Sequence, residues 1–147
     1  MRVLVIDDDP GVRVLCRIAF RADGDEVVEA PSGREGLELL GSEPVDAVVL
    51  DVMLPSIDGF EVLRRIREDA RTSDLPVVLL SVRVGIDDQI KGWRAGADDY
   101  LTKPFSPSEL AVTLTRICQL GPEDRAAQRE RLWERASLQG ARPSRIG

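Results

Sequence analysis

Three short apolar runs punctuate the chain, Val-Leu-Val-Ile at 3–6, Ala-Val-Val-Leu at 47–50 and Val-Val-Leu-Leu at 77–80. They are rich in β-branched residues and do not alternate with polar positions. Strands covered on both faces read this way, whereas a sheet with one wet face would alternate. Two weaker strands fit 26–30 and 99–102. Helical patterns fill the intervals at 11–21, 33–40, 60–69, 87–95 and 106–120. A strand followed by a helix thus recurs five times, which predicts a doubly wound α/β fold with a parallel sheet and right-handed crossovers. Ser106-Pro107-Ser108-Glu109 is a capping box with proline at the first helical position, and Gly121-Pro122 ends the fifth helix.

Residues 1–121 are therefore expected to form one domain, with 122–147 as a charged helical tail or linker. Pro122 and Glu123-Asp124 make a good helix start. Yet the i,i+4 pairs Arg125/Arg129, Glu130/Glu134 and Arg131/Arg135 are of like sign. Each costs roughly 0.2–0.5 kcal/mol in an isolated helix. A small apolar patch of Leu132, Trp133 and Ala136 predicts an interaction element. Its partner would be the same domain, a second copy or a further segment; the alternative is a solvated tail. The last residues, 140–147, are expected to fray.

Composition narrows the function classes. The 147 residues carry 43% hydrophobic and 31% charged side chains, the balance of one soluble domain. The net charge is −6 and the sequence pI about 4.8, so overall charge draws the chain to neither nucleic acid nor anionic membrane, and no direct nucleic-acid binding is expected. No apolar run approaches the ~20 residues of a spanning helix, and no secretory leader precedes Asp7. Histidine is absent, which removes His-based catalysis, His-bound zinc and a Cys/His pair. Cys16 and Cys118 lack metal-ligand spacing and read as reduced thiols of a cytoplasmic protein.

Candidate chemistry lies at the strand ends, where ligands bind in open α/β sheets. Asp7-Asp8-Asp9 follow the first strand, Asp51 the third, Ser81 the fourth and Lys103 the fifth. With a strand order of 2-1-3-4-5, Asp7 and Asp8 would sit beside Asp51, and Ser81 would flank it. Lys103 would stand two strands away, ~10 Å, a gap a long side chain crosses. Clustered carboxylates repel and need a cation or shared protons. Oxygen donors without His or Cys suit Mg²⁺, and a lysine adds a point charge for phosphate. A carboxylate so placed is a plausible phosphoryl acceptor, which Ser81 could hydrogen-bond. Asp9, before Pro10, reads instead as a helix cap.

These residues resemble the receiver domain of two-component response regulators. The resemblance runs through Val-Leu-Val-Ile-Asp7-Asp8-Asp9-Pro10, Val-Val-Leu-Asp51-Val52-Met53-Leu54-Pro55 with Asp58-Gly59, Pro76-Val-Val-Leu-Leu-Ser81, and Gly96-Ala97-Asp98-Asp99-Tyr100-Leu101-Thr102-Lys103-Pro104-Phe105, covering residues 1 to about 120. It implies a flavodoxin-like five-stranded sheet in the order 2-1-3-4-5 with five helices. It further implies a phosphorylation-dependent switch, with a histidine kinase or phosphotransfer protein as donor and Mg²⁺ as cofactor. By matching position, Asp51 is the phosphoacceptor, Asp7 and Asp8 the metal-binding pair with Asp8 the direct ligand, and Met53 a backbone-carbonyl ligand. Ser81 is then the switch hydroxyl, Tyr100 the switch aromatic and Lys103 the phosphate-binding lysine. The peptide before Pro104 is often cis in this family.

Three departures qualify the resemblance. Val82 stands where the family prefers Ala or Gly and narrows access to Asp51. Asp98-Asp99-Tyr100 resembles the branch that pairs as homodimers through the fourth helix, fifth strand and fifth helix, but Thr113 replaces that branch's arginine. No effector domain is expected in the residues after Leu120, and the downstream partner is unspecified. Rival readings are a phosphatase, disfavoured because Met53 stands where its second acid belongs, a non-phosphorylated scaffold, and a flavin-binding protein of the same fold. Tyr100 reads alternatively as an edge-strand aromatic, and Gly92 and Gly96 as helix-end and turn residues.

Overall fold

The computed structural model describes residues 1–82 and 85–141. Five strands, β1 (Arg2–Ile6), β2 (Glu26–Ala30), β3 (Ala47–Asp51), β4 (Val77–Ser81) and β5 (Asp99–Thr102), form one parallel sheet in the order β2-β1-β3-β4-β5. Between them run α1 (Pro10–Arg21), α2 (Gly33–Ser42), α3 (Gly59–Glu68) and α4 (Ile86–Ala95); α5 (Pro107–Cys118) and α6 (Pro122–Ala141) follow. The doubly wound sheet expected from the apolar runs is present, with Asp51 and Ser81 as the last residues of their strands rather than the first beyond them.

The lack of hydrophobic alternation has a direct cause. Successive side chains of a strand point to opposite faces, and here each face has its own core. Val3 and Val5, Ala47 and Val49, and Val78 and Leu80 join the core beneath α1 and α5. Leu4 and Ile6, Val48 and Leu50, and Val77 and Leu79 join the other, with Val62, Leu63 and Ile66 of α3. All twelve of these strand residues are fully buried. Both faces select for apolar residues, so polarity cannot alternate.

Helix starts are set by side chains. Asp9 accepts from the Gly11 amide, Ser32 from Glu35 and Asp58 from Glu61, each satisfying an otherwise orphaned donor of the first turn. Ser106 and Glu109 form the capping box legible in the sequence. Gly96 closes α4 in the left-handed conformation, φ 101°, where a side chain would be strained. Gly92 stands in the last turn of α4, where its carbonyl accepts the Gly96 and Ala97 amides that end the helix. An added Cβ there would stand 3.1 Å from Leu79 and 3.2 Å from the Tyr100 ring. Close approach of the helix to the sheet adds a reason for glycine beyond its place at the helix end.

The tail is a 20-residue helix lying along α4. Of the partners left open by the sequence, its own domain is the one engaged. Arg125 and Arg129, the first like-charge pair, both reach the buried carboxylate of Asp98, at 3.2 and 2.6 Å. A repulsion that would weaken an isolated helix thus becomes shared pairing to one anion. The frayed end expected at 140–147 lies, from residue 142 onward, outside the described residues. Among the described residues no helix is long and apolar enough to cross a membrane.

One close approach joins the sheet to its functional end. A Cβ on Gly59 would fall 2.2 Å from the Asp51 carbonyl oxygen and 2.6 Å from the Val52 Cα, both backbone atoms that cannot swing aside. Gly59→Ala is expected to destabilise the fold by about 1–3 kcal/mol. At Gly41, in the last turn of α2, a Cβ meets nothing within 4 Å, so Gly41→Ala should stabilise by about 0.4–1 kcal/mol. Urea unfolding of the two variants checks both signs.

Candidate functional site

The parallel register brings the chemistry together at the carboxyl edge. Ile6 pairs with Leu50, and Asp51 with Leu80. The turn after β1 and the end of β3 are therefore neighbours, and oxygens of Asp7, Asp8 and Asp51 all lie within 4.8 Å of one another. Asp7 and Asp51 are buried, and Asp8 is exposed at the mouth. Ser81 is fully buried at the end of the adjacent strand. Its carbonyl accepts the Lys103 amide at 2.9 Å, which ties the lysine's loop to the end of β4.

Lys103 crosses the sheet edge as its length allows. Its Nζ lies 2.9 Å from Asp7 Oδ2 and 3.4 Å from Asp51 Oδ2. The Lys103–Pro104 peptide is cis. Asp7 is further held in place: its Oδ1 accepts the Asp9 amide at 2.9 Å, and its backbone carbonyl accepts Arg13 Nη1 at 2.8 Å. The Met53 amide donates to Asp51 Oδ1 at 3.1 Å. That bond fixes the residue whose carbonyl was expected to face a metal.

Electrostatics follow from burial. Desolvation, reinforced by the Asp7 charge, holds the Asp51 pKa above the ordinary aspartate value, although the Met53 amide and Lys103 pull it down. For Lys103, desolvation favours the neutral form, but its bonds and charge pairing with Asp7 and Asp51 prevail and raise its pKa. Burial, with Asp7 nearby, pushes the Cys16 thiol up to about 12, so this cysteine is inert. Both cysteines are free thiols.

The donor set fits a hard divalent cation. Among the described residues three carboxylates converge on one point, and the Lys103 ammonium pairs with two of them. A cavity of about 450 Å³ opens beside them, lined by Asp8, Met53, Asp58, Phe60 and Lys91. Asp9 stands apart from the cluster. Its carboxylate accepts the Gly11 amide at 2.8 Å, the capping role its place before Pro10 predicts.

Tyr100 is half-buried on β5 and packs into the core beneath α4. Val82 is 62% exposed beside Ser81. Asp99 forms an ion pair with Arg116 of the same chain. Sequence reasoning placed Asp98 only in the homodimeric motif and did not single out Arg67. Asp98 is buried and receives Arg67, Arg125 and Arg129, and Arg67 also holds the Gly96, Ser73 and Leu75 carbonyls. The signal in the chain was the Asp98-Asp99-Tyr100 motif at the start of β5, which does not reveal distant arginine partners.

Comparison with known proteins agrees with this geometry. The family model described as response regulator receiver domain matches residues 3–115. The DNA-binding dual master transcriptional regulator RpaA of Synechocystis is 45% identical over 116 residues, covering 79% of this chain and 48% of its own length. The response regulator MprA of Mycolicibacterium vanbaalenii is 42% identical over 129 residues, covering 87% and 55%. A solved structure of the Vibrio cholerae chemotaxis protein CheY4 is 30% identical with a TM-score of 0.76, covering 79% of this chain and 97% of that one. The chain spans about half the length of the curated relatives it matches.

These relatives correct one expectation. The acidic balance argued against dealings with nucleic acid, yet RpaA is by name a DNA-binding regulator. The physical reason is one of scope. A net charge of −6 describes this segment's own field, not that of the half of a relative lying beyond the match. With its sheet order, its carboxylate cluster and these matches, the chain belongs to the response regulator receiver domain family.

Proposed function

We propose that this chain is a phosphorylation-dependent switch whose acceptor is Asp51. The observation that supports it best is the placement of Asp51: buried, at the edge of the sheet, with Asp7, Asp8 and Lys103 gathered around its carboxylate. A carboxylate oxygen of Asp51 attacks the phosphorus of a phosphohistidine. The O–P bond forms as the N–P bond breaks, and the departing imidazole keeps the electron pair and takes up a proton. This chain contains no histidine, so that group comes from a donor protein, a histidine kinase or phosphotransfer protein. Water later attacks the same phosphorus and returns Asp51 to its carboxylate. The chain promotes its own labelling and hydrolysis rather than turning over a separate substrate.

Asp7, Asp8, Asp51 and the Met53 carbonyl would hold Mg²⁺, which when bound neutralises charge on the carboxylates and phosphoryl oxygens. Lys103 places its ammonium against the same oxygens and orients them. Ser81, at the end of the neighbouring strand, donates a hydrogen bond to the transferred group, and Tyr100 relays the change to the α4 side of the sheet. The setting for this chemistry is the cytoplasm, where Mg²⁺ and phospho-donors are abundant.

Acetyl phosphate with Mg²⁺, followed by intact mass, tests the acceptor. The wild-type chain is expected to gain one phosphoryl group and Asp51→Asn none; equal labelling of the Asn variant refutes the assignment.

Metal binding should separate Asp8 from Asp9. In a Mg²⁺ titration followed by NMR shifts, Asp8→Ala is expected to weaken binding about tenfold or more, while Asp9→Ala, which removes a cap worth ~1 kcal/mol of stability, leaves affinity nearly unchanged. Equal loss in both variants would reverse these roles.

The β-branched Val82 crowds the approach of a donor or an in-line water at Asp51. Val82→Ala is expected to speed phosphorylation, dephosphorylation or both, read as rates of label gain and loss. Unchanged rates in both directions would refute the steric effect.

A further inference from the structure

The contact face of α6 recurs once per turn: Arg125, Arg129, Leu132 with Trp133, and Ala136. Arg125 and Ala136 are 4% and 5% exposed, and the other three are half-buried, while Glu123, Glu130, Arg131, Glu134 and Arg135 face solvent. The helix runs along α4 with this stripe inward. Ala136 is buried and Leu132 and Trp133 are half-buried, with the Trp133 indole nitrogen shut off from solvent, so apolar packing contributes to the seat of α6. Charge pairing supplies the anchor. Arg125 Nη1 and Arg129 Nη1 donate to the two oxygens of Asp98 at 3.2 and 2.6 Å, and Arg125 also donates to the Asp74 carbonyl.

That anchor is built to let go. Asp98 Oδ2 already accepts Arg67 Nη2 at 3.0 Å and the Val77 amide at 2.8 Å, both from the domain itself. If α6 leaves, Asp98 keeps a one-to-one ion pair and its backbone bond, and no uncompensated charge is stranded in the interior. With α6 seated, three guanidiniums crowd one carboxylate. Burial first, and then the charges of Arg129 and Arg125 against the pull of Asp98, depress the Arg67 pKa to about 10. Once free, α6 carries like-charge i,i+4 pairs and is a poor helix, so undocking and unfolding of this segment go together.

The element beneath it touches the site. The inner side of α4 rests on the Tyr100 ring at Gly92, and Lys91 of α4 stands 5.2 Å over the Phe60 ring, next to the Gly59 turn that abuts Asp51. A rearrangement of Tyr100 therefore moves the seat of α6.

We propose that residues 122–141 are a detachable cover of the α4 face, occupying in cis the surface that a partner would use, and that loading of Asp51 loosens the cover through Tyr100 and α4. The second half rests on the reading of Asp51 as acceptor; the first does not. Hydrogen exchange with mass spectrometry on the full 147-residue chain tests both. In the Arg125→Ala/Arg129→Ala variant, peptides of α6 and of α4 are expected to exchange about tenfold faster or more, while β1 and β3 keep wild-type protection. Unchanged α6 exchange overturns the anchor, and faster α6 with unchanged α4 overturns the cover. If β1 and β3 also lose protection, Asp98 depends on the α6 arginines and the cover is not detachable. In the wild-type chain, beryllofluoride with Mg²⁺ is expected to speed α6 exchange, with occupancy of Asp51 read by fluorine NMR. Bound beryllofluoride with unchanged α6 overturns the coupling alone. Failure of beryllofluoride to bind overturns the Asp51 reading and the coupling with it, and leaves the cover to the double variant.

Discussion

Buried like charge is the constraint around which this molecule is organised. Asp7 and Asp51 lie within a few ångströms of each other with almost no exposure, an arrangement that by itself favours protonation or separation. The Lys103 ammonium, held at 2.9 and 3.4 Å from the two carboxylates, is the balancing charge the chain carries itself. Among the described residues, one ammonium stands against these three acidic groups, which leaves a negative excess at the mouth, where Asp8 is exposed. This excess gives the site a donor set that could hold a divalent cation. The fold serves the same end: β3 places Asp51, the turn after β1 places Asp7 and Asp8, and the loop after β5 reaches back with Lys103.

The far end of β5 shows the opposite imbalance. There one carboxylate, Asp98, receives three guanidiniums. Arg67 belongs to the domain and also ties the Gly96 turn and the segment before β4 through backbone carbonyls. Arg125 and Arg129 come from outside the sheet. A surplus of cations is tolerable because one of them, Arg129, remains partly in contact with water, and because the two incoming groups pair with separate oxygens. Charge is thus left incomplete at both ends of the sheet, negative at the site and positive beneath α6. α4 lies between Tyr100 and the tail.

Tight backbone contacts, and not charge alone, join these regions to the helices beside them. Gly59 abuts the Asp51 carbonyl, and Gly92 lets α4 settle onto Tyr100 and Leu79. With no side chain at either contact, little slack separates Asp51 from α3 or Tyr100 from α4. Close-packed interiors transmit such displacements instead of absorbing them.

The parallel sheet was legible in the chain because both of its faces are buried, which writes continuous apolar runs at 3–6, 47–50 and 77–80. The caps at Asp9 and Ser106 were legible because capping is local chemistry within three residues. The site residues were legible as strand-end side chains, since a parallel sheet aligns all strand ends at one edge, although their distances were not. What the sequence left open depended on partners far apart in the chain. Gly92 read as a helix end because nothing nearby announces that Tyr100 and Leu79 press on it. Asp98 read only as part of the Asp98-Asp99-Tyr100 motif because its arginines stand 27 and 31 residues away in sequence from α6, and 31 from α3. The tail's like-charged pair counted against a helix until tertiary structure supplied the single buried carboxylate that both arginines share. Local spacing determined which elements form; only the meeting of distant charges decided where the last of them rests.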